Sequence, residues 1–160
     1  MGVPKSADGY GFVPAESAKT MSGLQLLTGI LEGNLPAPPI QRALDFRLVQ
    51  VERGRTMFAG NPKFEYYNPL GSVHGGFAAA LLDSCMACAV HSTLEVGCSY
   101  ATVEIKINYV RAITSDTGEV LAEGKVINAG KRIATAEGRL FDLAGKLYAH
   151  GTTTCLIVAL

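Results

Sequence analysis

Hydrophobic positions near the start of the chain recur at the spacing of an α-helix. Over residues 18–32 they fall three or four positions apart and stop before Gly33, which predicts a helix ended by that glycine. Residues 1–15 are rich in glycine, proline and small polar residues, so we expect them to be loosely ordered. Residues 34–39 contain three prolines, and we expect an extended linker there.

A run of small and apolar residues from Gly75 to about Leu94 predicts the one long internal helix. It lacks a clear polar face, and a helix of this kind is buried. The run is too short to span a bilayer and carries Asp83 in its middle. The residues expected on its inner stripe are Phe77, Leu81, Ser84, Cys85, Cys88 and Ala89.

Strands are predicted on both sides of this helix. Residues 46–52 form the first, and the second should run from about Arg55 towards Phe64, interrupted near Asn61-Pro62. A loop over residues 68–71 then leads to the helix.

After the helix the hydrophobic period changes to two. Apolar positions alternate with polar ones: Val103, Ile105, Ile107 and Tyr109 against Thr102, Glu104, Lys106 and Asn108. Three more strands are predicted over residues 119–128, 133–141 and 146–158, with short turns between successive strands. Turns this short join antiparallel neighbours, so we expect a meander with the long helix packed on it. The result is an α+β fold, and a doubly wound parallel sheet is excluded because no helices separate the strands.

Composition narrows the class of protein further. The 160 residues are 48% hydrophobic and 18% charged, which suits one domain with a substantial core. Basic and acidic residues both number 14, so the chain lacks the electrostatic footprint of a nucleic-acid or anionic-membrane binder. No secretory signal pattern opens the chain. The four cysteines lie in apolar stretches, as reduced thiols do, and we expect a cytoplasmic location.

Two glycines, Gly75 and Gly76, mark the start of the long helix, and a carboxylate follows inside it. Glycine allows close approach of another molecule, and the first turn of a helix offers unpaired N–H groups to a polarised carbonyl oxygen. Asp83 would be costly in an apolar helix unless it is paired or used. A hydrogen-bonded core aspartate is the alternative, but the nearby Gly-Gly helix start favours a functional role.

Helix geometry constrains how these groups could act together. Eight residues of helix rise about 12 Å, so Asp83 and the Gly75 amide of one chain cannot contact one reacting carbonyl. Two antiparallel copies of the helix across a two-fold axis would bring Asp83 of one chain near Gly75 of the other. If both residues are catalytic, the protein is at least a dimer.

The motif residues resemble those of a known family. The string is Asn68 followed by Gly71-Ser72-Val73-His74-Gly75-Gly76, then Leu82-Asp83, then Thr102–Tyr109. It is similar to the PaaI-type branch of the hotdog-fold acyl-CoA thioesterases over roughly residues 45–158. The resemblance implies a long helix wrapped by a curved antiparallel sheet, with two such units pairing into a homodimer and often a homotetramer.

The resemblance also implies roles for matching residues. The Gly75 amide and Asn68 would polarise the thioester carbonyl, and Asp83 of the partner chain would be the general base or the nucleophile. Thr102 would help to place the attacking water. His74 and Gly76 would belong to the substrate-binding residues, with His74 structural or near the carbonyl. Family members often hold the phosphates of coenzyme A with basic surface residues, which makes Arg132 a candidate contact in its predicted turn.

Other candidate residues are better explained without chemistry. Cys85 and Cys88 match C-x-x-C, but no second ligand pair accompanies them, so core packing is favoured over redox chemistry or metal binding. His91 and His150 stand alone. No metal site and no cofactor are expected, and no dinucleotide, P-loop or serine-nucleophile motif occurs.

The sequence therefore predicts a thioesterase that hydrolyses acyl-CoA to a free acid and coenzyme A at a site shared between two subunits. Residues 1–40 would form an N-terminal extension, a lid or extra packing, and residues 41–160 the hotdog domain. The alternative is a non-catalytic acyl-CoA-binding protein of the same fold, which would not need Asp83. A hotdog hydratase is disfavoured because no suitably spaced Asp/His pair is found. The acyl group, and the choice between dimer and tetramer, are left open.

Overall fold

The computed structural model describes residues 9–160. The helices are α1 (Ala15–Thr20), α2 (Gly23–Leu31), α3 (Pro39–Ala43) and α4 (Gly75–His91), with 3₁₀ turns at Phe64–Tyr66 and Ser115–Thr117. The strands are β1 (Phe46–Glu52), β2 (Arg55–Gly60), β3 (Cys98–Tyr109), β4 (Val120–Ala129), β5 (Ile133–Asp142) and β6 (Leu147–Ala159). Within residues 9–160 no helix has the length and apolar character that a membrane crossing requires.

The strands form one antiparallel sheet in the order β1-β2-β4-β5-β6-β3, and α4 packs across its middle. Two paired glycines, Gly124 on β4 and Gly138 on β5, let the helix approach the sheet closely. A Cβ atom at Gly124 would overlap the carbonyl of Cys85, and one at Gly138 would crowd the side chain of Met86. This close packing forms the core, and the predicted α+β architecture with a buried helix on an antiparallel sheet is confirmed.

The predicted meander is wrong at one connection. β4, β5 and β6 are successive neighbours, but β3 pairs with β6 and not with β4. The chain between β3 and β4 runs over residues 110–119 and is tied to the start of α4 by the Val73 N–H to Ile113 carbonyl bond of 2.8 Å. This segment carries the chain from β3 past β6 and β5 to β4, so β3 is an edge strand.

A β-bulge changes which face Thr102 occupies. Strict alternation would place the Thr102 side chain on the polar face of β3, which is the face away from Ile105. The register shifts between Thr102 and Glu104, so Thr102 pairs with Cys155 while Ile105 pairs with Thr153. Cys155 and Thr153 share the buried face of β6. The bulge therefore turns Thr102 towards α4.

The predicted N-terminal helix over residues 18–32 is two helices. The chain breaks between α1 and α2 because Ser22 caps α2: its hydroxyl accepts from the Gln25 N–H at 3.3 Å, and the Gln25 side chain accepts from the Ser22 N–H at 2.8 Å. The expected loose order of residues 1–15 falls partly outside the described residues, since these begin at residue 9.

Two other boundaries differ from prediction. α4 ends at His91 rather than near Leu94, because the Ser92 hydroxyl donates to the Ala89 carbonyl at 2.7 Å and accepts from the Gly54 N–H at 2.8 Å. β2 ends at Gly60, before Asn61-Pro62, where proline removes a backbone donor.

Candidate active site

The first turn of α4 leaves one backbone donor available. His74 caps the helix, and its Nδ1 accepts from the Gly76 N–H at 2.8 Å, while the Phe77 N–H donates to the His74 carbonyl at 3.0 Å. Within residues 9–160 the hydrogen bonds give the Gly75 N–H no acceptor. Of the three amides, Gly75 is therefore the one that can donate to a ligand.

Tyr109 holds the position of Gly75. Its hydroxyl donates to the Gly75 carbonyl at 3.1 Å, and a Cβ atom at Gly75 would lie 3.1 Å from the tyrosine ring. The pattern of the sequence placed Tyr109 on the apolar face of β3 and did not connect it with Gly75. Both residues line a cleft of about 300 Å³ together with His74.

Asn68 organises the loop before α4. Its Oδ1 accepts from the Leu70 N–H at 2.9 Å and the Ser72 N–H at 3.4 Å, and its Nδ2 donates to the Ser72 hydroxyl at 3.0 Å. A carboxamide nitrogen carries two hydrogens, so one remains for a ligand. The loop is further held by the His74 N–H, which donates to the Tyr66 carbonyl at 2.7 Å.

Asp83 and Thr102 form a pair at a second place. The Thr102 hydroxyl donates to Asp83 Oδ1 at 3.0 Å. This bond orients the carboxylate, and in the described residues its second oxygen accepts no hydrogen bond. The bond also accounts for a carboxylate on the otherwise apolar α4, because the group is only half-buried and has a partner.

The Asp83–Thr102 pair opens into a cavity of about 400 Å³. Its wall comes from α3, β1, β2, α4 and β3 and mixes apolar and aromatic side chains with polar ones. The lining residues include Ile40, Gln41, Phe46, Phe58, Ala87 and Tyr100. A cavity that combines apolar surface with convergent polar groups can hold a small molecule.

The structure thus distributes the predicted site residues over two places in one chain. Asp83 and Thr102 share the cavity, whereas Asn68, His74, Gly75 and Gly76 lie at the helix start. Since Gly75 and Asp83 are both on α4, about 12 Å of helix separates them. Residues of one chain do not bring the free amide and the carboxylate together.

Arg132 lies in the β4–β5 turn and is exposed. Its carbonyl accepts from the Ile157 N–H at 2.9 Å, and Ile157 pairs with Tyr100 in the cavity wall. Arg132 is therefore two strands, or about 10 Å, from the rim of the cavity.

The cysteines near the cavity are unreactive thiols. All four are free. Burial raises the pKa of Cys88 to about 12 and moves the pKa of Cys85 well above its ordinary value. A thiol with such a pKa is protonated at neutral pH and is a poor nucleophile or ligand.

The N-terminal contribution to the cavity was missed. Ile40 and Gln41 lie on α3, which begins at the last residue of the predicted linker of residues 34–39 and was not predicted as a helix. The only signal was Pro-Pro before them, since proline is favoured in the first turn of a helix.

The chain is similar in sequence and in fold to known thioesterases. A family model described as "Thioesterase superfamily" matches residues 70–149. The human protein acyl-coenzyme A thioesterase 13 is 29% identical over 133 residues, which cover 81% of this chain and 93% of the relative. A Halobacterium salinarum protein named "Putative esterase" is 35% identical over 69 residues, 42% of this chain and only 44% of the relative. The crystal structure of a phenylacetic acid degradation-related protein from Ralstonia eutropha superposes with a TM-score of 0.74 at 27% identity, covering 82% of this chain and 98% of that one.

Proposed function

Because this chain belongs to the thioesterase superfamily and is a thioester hydrolase, we propose that its substrate is an acyl-CoA and that two subunits share each active site. The hotdog fold expected from the sequence is confirmed. The observation that carries the proposal is the Asp83–Thr102 pair, which faces a partly apolar cavity large enough for an acyl group. The Thr102 bond makes the carboxylate tolerable on α4, but a protein that only binds acyl-CoA would not need it at this cavity.

The proposed chemistry assigns one task to each group. Asp83 removes a proton from water as the water attacks the thioester carbonyl, or attacks that carbonyl itself to form an anhydride that water then opens. Thr102 donates to the carboxylate and can accept a hydrogen bond from the water. The Gly75 N–H and the remaining Asn68 N–H stabilise the oxyanion. In the first route, collapse of the tetrahedral intermediate breaks the C–S bond, and the proton taken by Asp83 passes to the thiolate. In the second route, the C–S bond breaks as the anhydride forms, and water then opens the anhydride. Both routes end in the carboxylic acid and coenzyme A as the thiol.

Two features of β3 support a shared site. The strand is an edge, so one row of its backbone groups has no neighbouring strand. Its helix-facing side is apolar but uncovered: Ile105 is 37% and Tyr109 56% exposed. Pairing two β3 edges around a two-fold axis would continue the sheet and lay a second α4 over this face. The second helix would then run antiparallel to the first, with its Asp83 towards Gly75.

Arg132 fits a role in binding the cofactor portion of the substrate. Its position about 10 Å from the cavity rim allows a phosphate of coenzyme A to reach it while the acyl group occupies the cavity. Arg132→Ala should therefore raise KM and leave kcat nearly unchanged.

A first experiment measures thiol release from a panel of acyl-CoAs. Asp83→Asn should lower kcat by at least ~10²-fold while acyl-CoA still binds, since general base catalysis contributes about that much. Asp116→Asn, on an exposed turn, is the matched control and should behave as wild type. Binding without turnover by the wild-type protein would instead identify a non-catalytic acyl-CoA-binding protein.

A second experiment tests the shared site. Gly75→Pro removes the free amide, and Gly75→Ala is its control because it adds similar crowding against Tyr109 but keeps the N–H. In a mixed dimer of Asp83→Asn and Gly75→Pro, both lesions fall in the same site. The other site is then intact, so mixing two nearly inactive proteins should restore up to about half the activity per heterodimer. Folded variants that exchange subunits and remain inactive would refute the shared site.

A further inference from the structure

Gln41 is a buried amide without a partner at the candidate active site. It lies on α3 with 6% of its surface exposed, and it lines the same cavity as Asp83. Its backbone N–H donates to the Pro38 carbonyl at 3.0 Å. Within residues 9–160 its side chain makes no hydrogen bond.

The other buried polar side chains of the described chain all have partners. The Thr56 hydroxyl donates to the Cys85 carbonyl at 2.7 Å, that of Ser92 to the Ala89 carbonyl at 2.7 Å, and that of Thr153 to the Glu104 carbonyl at 2.7 Å. Gln41 is the exception among the buried polar residues. No protein group in the described residues therefore uses the hydrogen-bonding capacity of the Gln41 side chain.

The Gln41 amide opens into the cavity. In the described residues no side-chain nitrogen or oxygen is both sealed from solvent and unpaired. The unpaired polar atoms of Gln41 are therefore accessible, and Gln41 is a lining residue of the cavity. The group can donate two hydrogen bonds and accept others there.

The neighbours of Gln41 define what it would recognise. Ile40, Phe46 and Phe58 provide apolar surface in the same cavity, while Asp83 and Thr102 provide the groups assigned to chemistry. A substrate that fills this space needs an apolar body with one polar atom away from its thioester. Resting on the proposed acyl-CoA hydrolysis, we propose that Gln41 is a specificity residue that selects acyl groups carrying a hydroxyl or keto oxygen.

The test compares pairs of acyl-CoAs that share a carbon skeleton and differ by one hydroxyl or keto group, with straight-chain and aromatic members. For at least one pair, wild-type kcat/KM should favour the oxygenated member by about tenfold, the usual effect of one buried neutral hydrogen bond. Gln41→Met removes the amide at similar volume and should bring that ratio to about one by slowing only the oxygenated substrate. Gln50→Met is the matched control, because the Gln50 amide bonds Glu52 at the surface of β1.

Thermal unfolding separates this role from a structural one. Since the Gln41 amide has no partner to lose, Gln41→Met should have an unchanged or higher Tm. An unchanged substrate ratio in every pair overturns the inference, as does an equal loss for both members, which would indicate a role in placing water. Wild-type protein that hydrolyses no acyl-CoA would instead refute the proposed function. That measurement needs only the wild-type protein, so the two failures can be distinguished.

Discussion

The uncovered face of β3 allows a direct test of assembly, by placing a carboxylate on it. Ile105 lies on the helix-facing side of the edge strand, and 37% of it is exposed in the single chain. If a second subunit covers this face, Ile105→Asp should separate the subunits and remove activity with them. Ile127→Asp is the matched control, because Ile127 is 59% exposed on β4, away from that edge.

The size of the effect follows from burial and charge. Complete burial of an isoleucine contributes about 1.5–3 kcal/mol, so covering the exposed third of Ile105 contributes about 0.5–1 kcal/mol per copy. Desolvating a carboxylate costs several kcal/mol more, and the substitution occurs twice per dimer. A total of at least about 4 kcal/mol corresponds to a ~10³-fold increase in the dimer Kd. Aspartate is preferred to lysine because its short side chain cannot extend to solvent.

Analytical ultracentrifugation over a dilution series gives the dimer Kd, and thiol release at the same concentrations gives the activity per subunit. Wild type and Ile127→Asp should remain associated and active, whereas Ile105→Asp should be a folded monomer with little activity. An Ile105→Asp protein that associates as tightly as wild type would show that β3 is not the interface. A fully active monomer would show that one chain holds a complete site.

Four further expectations concern single groups. Thr102→Val should lower kcat by roughly tenfold with little change in KM, because the Asp83 carboxylate loses the hydroxyl that orients it; steady-state kinetics measures this. Gly124→Ala should lower the free energy of unfolding by about 1–3 kcal/mol, since its Cβ would push α4 off the sheet; denaturant titration tests it. Burial lowers the pKa of His91, so as the pH falls the unfolded chain takes up a proton at a higher pH than the folded chain does. The stability that this histidine contributes is present above its ordinary pKa of about 6.5 and lost as the pH falls below it, and Tm against pH should be flatter for His91→Gln. Activity should survive EDTA, and a loss that added zinc restores would contradict the expectation that the reaction needs no metal.

The long helix and the strand positions could be predicted because each rests on local pattern. The period of two after α4 gave β4, β5 and β6 to within one residue at nearly every end. The start of α4 at Gly75 was also predicted, because glycine pairs and a change of period coincide there. These features need no knowledge of distant contacts.

The position of β3 and the orientation of Thr102 could not be predicted, because both depend on pairing between distant strands. The residues between β3 and β4 contain a good turn, Ser115–Thr117, which suggested a hairpin. The contact between Ile113 and Val73 redirects that segment across the sheet. The bulge at Thr102 is defined by its register with Cys155 on β6, and a period of two along β3 alone would have turned the hydroxyl away from Asp83.

The role of the segment before residue 41 depends on the same kind of distant contact. The division into an extension of residues 1–40 and a domain of residues 41–160 stays a prediction, but the described part of the extension packs closely on the site helix. The Gly23 N–H donates to the Leu94 carbonyl at 3.0 Å, and a Cβ atom at Gly23 would overlap the carbonyl of His91 at the end of α4. From this anchored helix the chain passes through its prolines to α3, where Ile40 enters the cavity wall. If the cavity holds the acyl group as proposed, substitutions in this segment change which acyl group fits without altering Asp83, Thr102 or Gly75, and substrate preference varies independently of the chemistry.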